Sequence, residues 1–69
     1  MKKLIRSRRT RAFLTPEGGW SPNIIEARNF KTPEDARIIC NSLHLHNCEL
    51  YYSFSERTVS EYDFWFKID

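Results

Sequence analysis

Three groups of side chains in this 69-residue sequence have the types and spacing to do chemistry. Cys40, His44, His46 and Cys48 are the set with metal-ligand character. Cys40 and His44 are four residues apart, one helical turn, and His46 and Cys48 are two apart, the same face of a strand. Thiolate and imidazole are the ligands zinc prefers, so convergence of both pairs would make a four-ligand site. The spacing matches no common zinc module, and there is no C-x-x-C. Both cysteines also fall on apolar patterns. The sequence therefore favours core thiols with surface histidines, no metal and no cofactor.

The second group is cationic. Lys2, Lys3, Arg6, Arg8, Arg9 and Arg11 fall within the first fifteen residues, which contain no acid, whereas residues 16–69 hold five basic and nine acidic side chains. The formal net charge of +2 thus hides a basic end on an acidic body. Cations on a protruding turn would grip phosphates with salt-dependent, mostly sequence-blind affinity, so nucleic acid is one candidate partner. The same residues also suit a solvated edge that discourages strand-to-strand aggregation.

The third group is Tyr51 and Trp65. On an open sheet face these rings would be exposed beside Glu49, Asp63 and Lys67, which are not basic on balance. That setting suits a protein interface better than a stacking platform for bases, and a homo-oligomer or another protein is the expected partner. No catalytic constellation accompanies these groups. The serines lack a nucleophile-elbow context, and Gly18-Gly19 lacks the pattern of a phosphate loop. The chain reads as a non-enzyme.

The elements that position these residues follow from periodicity. Leu4–Ser7 and Ala12–Leu14 read as a hairpin around the arginine-rich turn. Pro16–Gly19 breaks the chain, and Pro22–Ala27 suits one helical turn capped by Ser21-Pro22. Arg28–Phe30 reads as a short extended segment. Thr32-Pro33-Glu34-Asp35 starts a helix running to about Leu43, with Ala36, Ile39, Cys40 and Leu43 as its apolar stripe. Cys48, Leu50, Tyr52 and Phe54 then alternate with polar or mixed neighbours, as do Tyr62, Phe64, Phe66 and Ile68. Residues 55–61 form a polar loop. Pairing Phe54 with Tyr62 sets Leu50 opposite Phe66, Tyr51 opposite Trp65 and Glu49 opposite Lys67. The expected fold is a single α+β domain over residues 1–69. It has a small antiparallel sheet of four or five strands in the order β-β-β-α-β-β, with the helix on the Leu50/Tyr52/Phe64/Phe66 face.

Leu4-Ile5-Arg6, Phe13-Leu14, Gly19-Trp20-Ser21, Ala27, Phe30 and Thr32-Pro33-Glu34-Asp35-Ala36 together resemble a pattern in short phage and bacterial open reading frames. A similar rhythm occurs in an accessory-subunit family of respiratory complex I. The resemblance covers residues 4 to about 40 and implies a fold, with no catalytic residue attached.

Size and composition bound the rest. At 8.3 kDa the chain has little room for a deep pocket. Its apolar runs are far shorter than the roughly 20 residues of a membrane span. No apolar stretch follows Lys2-Lys3 as an export signal would require, so a cytoplasmic location without membrane contact is expected.

Overall fold

The computed structural model describes residues 1–55 and 57–68; Glu56, in the expected 55–61 loop, and Asp69 lie outside the described residues. The elements are β1 (Lys2–Ser7), β2 (Phe13–Leu14), β3 (Trp20–Ser21), a 3-10 turn (Ile24–Glu26), α1 (Pro33–Ser42), β4 (Cys48–Ser53) and β5 (Phe64–Lys67). They form one five-stranded antiparallel sheet in the order β3-β2-β1-β4-β5. This is the expected small α+β fold. Its centre is the β1–β4 ladder, where Lys2 to Ser7 face Ser53 to Cys48 in unbroken register.

The β4–β5 pairing follows side-chain alternation. Glu49 faces Lys67, Leu50 faces Phe66, Tyr51 faces Trp65 and Tyr52 faces Phe64. The ladder stops there. Beyond it, Phe54 and Tyr62 are not paired, because the Asp63 carboxylate turns inward and accepts from the Phe54 amide at 2.9 Å.

The first hairpin closes without glycine. Ser7 and Ala12 are joined by an amide–carbonyl bond of 2.9 Å, and the Ser7 hydroxyl accepts from the Arg9 and Thr10 amides at 3.2 and 3.3 Å. Arg11 sits at φ +65°, the left-handed region that usually calls for Gly or Asn. The third strand is Trp20–Ser21, not Arg28–Phe30. The latter contributes a single bridge, in which the Phe30 amide donates to the Lys3 carbonyl at 2.8 Å. The helical turn expected over Pro22–Ala27 is shorter and capped by Asn23, whose Oδ1 accepts from the Ile25 amide at 3.1 Å.

Helix α1 starts as its sequence dictates. The Thr32 Oγ1 accepts from the Asp35 amide at 3.1 Å, Pro33 occupies the first turn, and Glu34 and Asp35 meet the positive end of the dipole. It ends at Ser42. The His44 amide donates to the Asn41 carbonyl (3.1 Å) and the Leu45 amide to the Cys40 carbonyl (3.0 Å), a Schellman closure with His44 at φ +53°. The chain reverses there, so Leu45 packs on the core and Leu43 stays exposed, contrary to the helical stripe.

The sheet buries both faces. Between α1 and the sheet, Ala36 and Cys40 of the helix pack with Ile5, Leu14, Phe30, Cys48 and Leu50; on the opposite face lie Leu4, Phe13, Ile24 and Tyr51. Helix α1 rests mainly on β1 and β4, and the residues of β5 stay exposed. Phe54, Tyr62, Phe64 and Phe66, which alternation assigns to the covered face, are therefore exposed.

His44→Gly removes the strain of a side chain at the left-handed helix terminus. Chemical denaturation should show the variant more stable than wild type by about 1 kcal/mol. A loss of stability would mean that the imidazole makes a contact that outweighs the backbone cost.

Candidate functional site

Alternation puts Leu4 and Arg6 of β1 on one face with Phe13, Glu49, Tyr51 and Trp65. Arg6 is only 5% exposed. Its Nε donates to Glu49 Oε2 at 2.5 Å, and its Nη2 makes an ion contact with the same oxygen. Nη2 nonetheless has no partner with hydrogen-bond geometry among the described residues. The guanidinium carbon lies 4.4 Å from the Tyr51 ring centroid and 4.5 Å from that of Trp65. Those two rings are parallel within 3° and 5.9 Å apart, too close to admit a cation between them. The three groups form a triangle, with the cation meeting both rings from β1 across β4 to β5. Phe13 closes the far side, edge-on to Tyr51 at 5.3 Å.

Tyr51 is fully buried, and its hydroxyl donates to Asp63 Oδ2 at 2.6 Å. Burial, then the hydrogen bond to Asp63 and its charge, push the phenol well above its ordinary pKa, so it stays a neutral donor. Asp63 also accepts from the Phe54 and Ser60 amides, both at 2.9 Å. Burial alone would raise its pKa. The Tyr51 hydroxyl, the two amides and the Arg6 charge outweigh that and hold the carboxyl below its ordinary value. One carboxylate thus anchors Tyr51 and both ends of the loop before β5.

This geometry corrects two expectations. Tyr51 is not a surface anchor, because Ile24 and the 3-10 turn help cover the face that was expected to be open. Trp65 remains 48% exposed. Nor do the six N-terminal cations form one patch. Arg6 is interior, and Lys2 and Lys3 are half-buried at the far end of β1. The five residue steps from Lys3 to Arg8 span about 16 Å of extended chain. Arg8, Arg9 and Arg11 stay together on the turn, with Arg8 Nη2 donating to Asn47 Oδ1 at 3.2 Å.

Cys40 and Cys48 are buried in the core between α1 and the sheet, as the apolar patterns indicate. Their sulfurs approach the carbonyls of Leu45 and His46, while His44 and His46 are exposed. Among the described residues no group of three or more His, Cys, Asp or Glu is placed to hold a metal ion. No helix among them is long and apolar enough to cross a membrane.

The surface that sequence reasoning missed is β5 itself. It is an edge strand, and all four of its residues are exposed. Phe64 touches Tyr52 (4.7 Å), Phe66 (5.8 Å) and Phe54 (6.1 Å). Phe54 and Phe66 are 53% and 59% exposed. The aromatic alternation that signals a core is the same alternation that builds this edge, and only the reach of α1 tells them apart. No protein-family model matches the chain, and no curated protein or solved structure matches it significantly.

Asp63→Asn leaves one of the three donors short of an acceptor and should cost about 2 kcal/mol at neutral pH. Because the folded-state pKa of Asp63 lies below the unfolded value, its contribution is full above about pH 4 and is lost as pH falls below that. Denaturation curves across pH should therefore show the gap between wild type and variant narrowing on acidification. A gap independent of pH would mean that the carboxylate's charge contributes nothing.

Proposed function

We propose that the chain is a non-catalytic interaction module that pairs with a second copy of itself along β5. The observation that carries this reading is the exposed, aromatic and self-complementary edge strand Phe64–Lys67. A free strand edge presents unpaired amides and carbonyls, and natural proteins usually blunt it with charge, proline or a covering element. Here the exposed side chains are Phe64, Trp65 and Phe66, with only Lys67 charged.

The backbone phase fits. The Ile68 amide donates to the Cys48 carbonyl at 3.4 Å, and the Phe54 amide points towards Asp63. By antiparallel alternation the even-numbered residues of β5 bond to β4, and the amides of Trp65 and Lys67 face outward. Antiparallel pairing of two β5 strands about a two-fold axis at Trp65 joins these outward groups. Phe64 then faces the second copy's Phe66, and Trp65 faces its own counterpart. The same residues serve both copies, as a two-fold interface requires. Aromatic cross-strand pairs each contribute roughly 0.2–1 kcal/mol, and burial of the Phe54/Phe64/Phe66 patch adds to them.

Size-exclusion chromatography with light scattering, run from dilute to concentrated solution, tests the reading. Wild type should approach twice the monomer mass, and Phe66→Lys should stay monomeric with its thermal midpoint little changed. A wild type that stays monomeric when concentrated, or a Phe66→Lys variant that still doubles in mass, overturns it.

A further inference from the structure

At the opposite edge of the sheet an open groove of about 590 Å³ lies between the first hairpin and the segment entering β4. Arg9, Thr10 and Ala12 line it from the hairpin, Trp20 from β3, and His46 and Asn47 from the connection after α1. Among the described residues no Asp or Glu lines it. Its volume is within the range of small-ligand sites and accommodates one or two nucleotide units.

The composition of the walls narrows the ligand. Trp20 is 42% exposed on the outermost strand, and no ring stacks on it among the described residues. Ala12 adds a small apolar side chain to the lining. Arg9 supplies a cation at the rim, with Arg8 and Arg11 on the same turn. His46 adds an exposed imidazole, and Thr10 and Asn47, which accept from the Ala12 amide and Arg8, complete the polar lining. An aromatic face beside clustered arginines, without acids, is the combination that receives a stacked base and its phosphates. Duplex stacks its bases internally and offers such a ring nothing to lie on, so the ligand is unpaired.

The backbone adds a second observation. Arg11 and Asn47, which flank the groove from its two sides in sequence, both hold left-handed φ values, +65° and +57°. Asn tolerates that region; Arg does so at a cost that glycine would avoid. The turn thus carries a third arginine beside Arg8 and Arg9.

We propose that this groove binds a short stretch of single-stranded nucleic acid, with one base stacked on Trp20 and adjoining phosphates on Arg9 and its neighbours in the turn. The site is independent of β5 pairing, since β3 and β5 are the two opposite edges of the sheet. Two copies joined at β5 would carry two such grooves facing outward.

Fluorescence anisotropy of a labelled octathymidylate, titrated with the full chain at about 50 mM and about 200 mM salt, tests the proposal. Wild type should bind at the lower salt and weaken at the higher. Trp20→Ala should weaken binding roughly 5- to 100-fold, the range for loss of one stacked base. Arg9→Ala lies on an exposed turn and should leave folding intact. It should flatten the salt dependence by roughly 0.7 in the logarithmic slope, one phosphate contact. Absence of binding at low salt overturns the proposal, as does an affinity unchanged by both substitutions. Duplex of the same length binding as tightly as the single strand would also overturn it. Thymidine monophosphate separates the sources of the chemistry. Weak competition by it supports a strand as ligand, and competition at the octamer's own concentration overturns the strand in favour of a free nucleotide.

Discussion

A guanidinium taken out of water must be met on every side, and most of this sheet is arranged to meet that of Arg6. Glu49, its cross-strand neighbour on β4, supplies the counter-charge. Tyr51 and Trp65, themselves a cross-strand pair, supply two ring faces. One side chain on β1 thus touches β4 and β5 together. A one-residue slip between β1 and β4 would set Arg6 and Glu49 on opposite faces and leave two buried charges unpaired, at several kcal/mol. Apolar residues in the same place could be as stabilising, but they would tolerate more than one register. The ion pair therefore specifies the alignment of the central ladder more than it adds to overall stability.

From that alignment the rest follows in order. Tyr51, held under Arg6, presents its hydroxyl to Asp63. Asp63 in turn fixes both ends of the loop entering β5. Trp65 is positioned by the cation on one side and left half-exposed on the other. Among the described residues one ten-residue helix covers the other face, and it rests mainly on β1 and β4. An aromatic edge is what remains. The proposed pairing of two copies puts that edge to use and leaves the Trp20 groove, at the other edge, open to a ligand.

Much of the fold was legible in the residues. Period-two alternation sets the four β4–β5 pairs, because a slip would bury Glu49 and Lys67 on the wrong face. Thr32-Pro33 with its two acids marks the helix start, because capping chemistry is local. The third strand was not legible, since Trp20–Ser21 is too short to show a period. The hairpin turn carries no Asn-Gly signal because the Ser7 hydroxyl and a left-handed Arg11 do the work of those residues. The site was harder. Whether Tyr51 is covered depends on Ile24, which lies 27 positions away in the sequence. A usable signal did exist for Arg6. Any antiparallel pairing of β1 with β4 that sets Ile5 opposite Leu50 also sets Arg6 opposite Glu49, and a charge pair between apolar neighbours suggests an interior one.

The claim that a planar cation on β1 organises β4 and β5 is tested most directly by urea denaturation of Arg6→Lys. Lysine keeps the charge but cannot lie flat across two rings or donate from a fork to Glu49. The account predicts a loss of about 2 kcal/mol or more relative to wild type, approaching the cost of a broken buried pair. A variant within about 0.5 kcal/mol of wild type, the range of an ordinary surface substitution, would contradict it and reduce Arg6 to a bystander of the β1–β4 ladder.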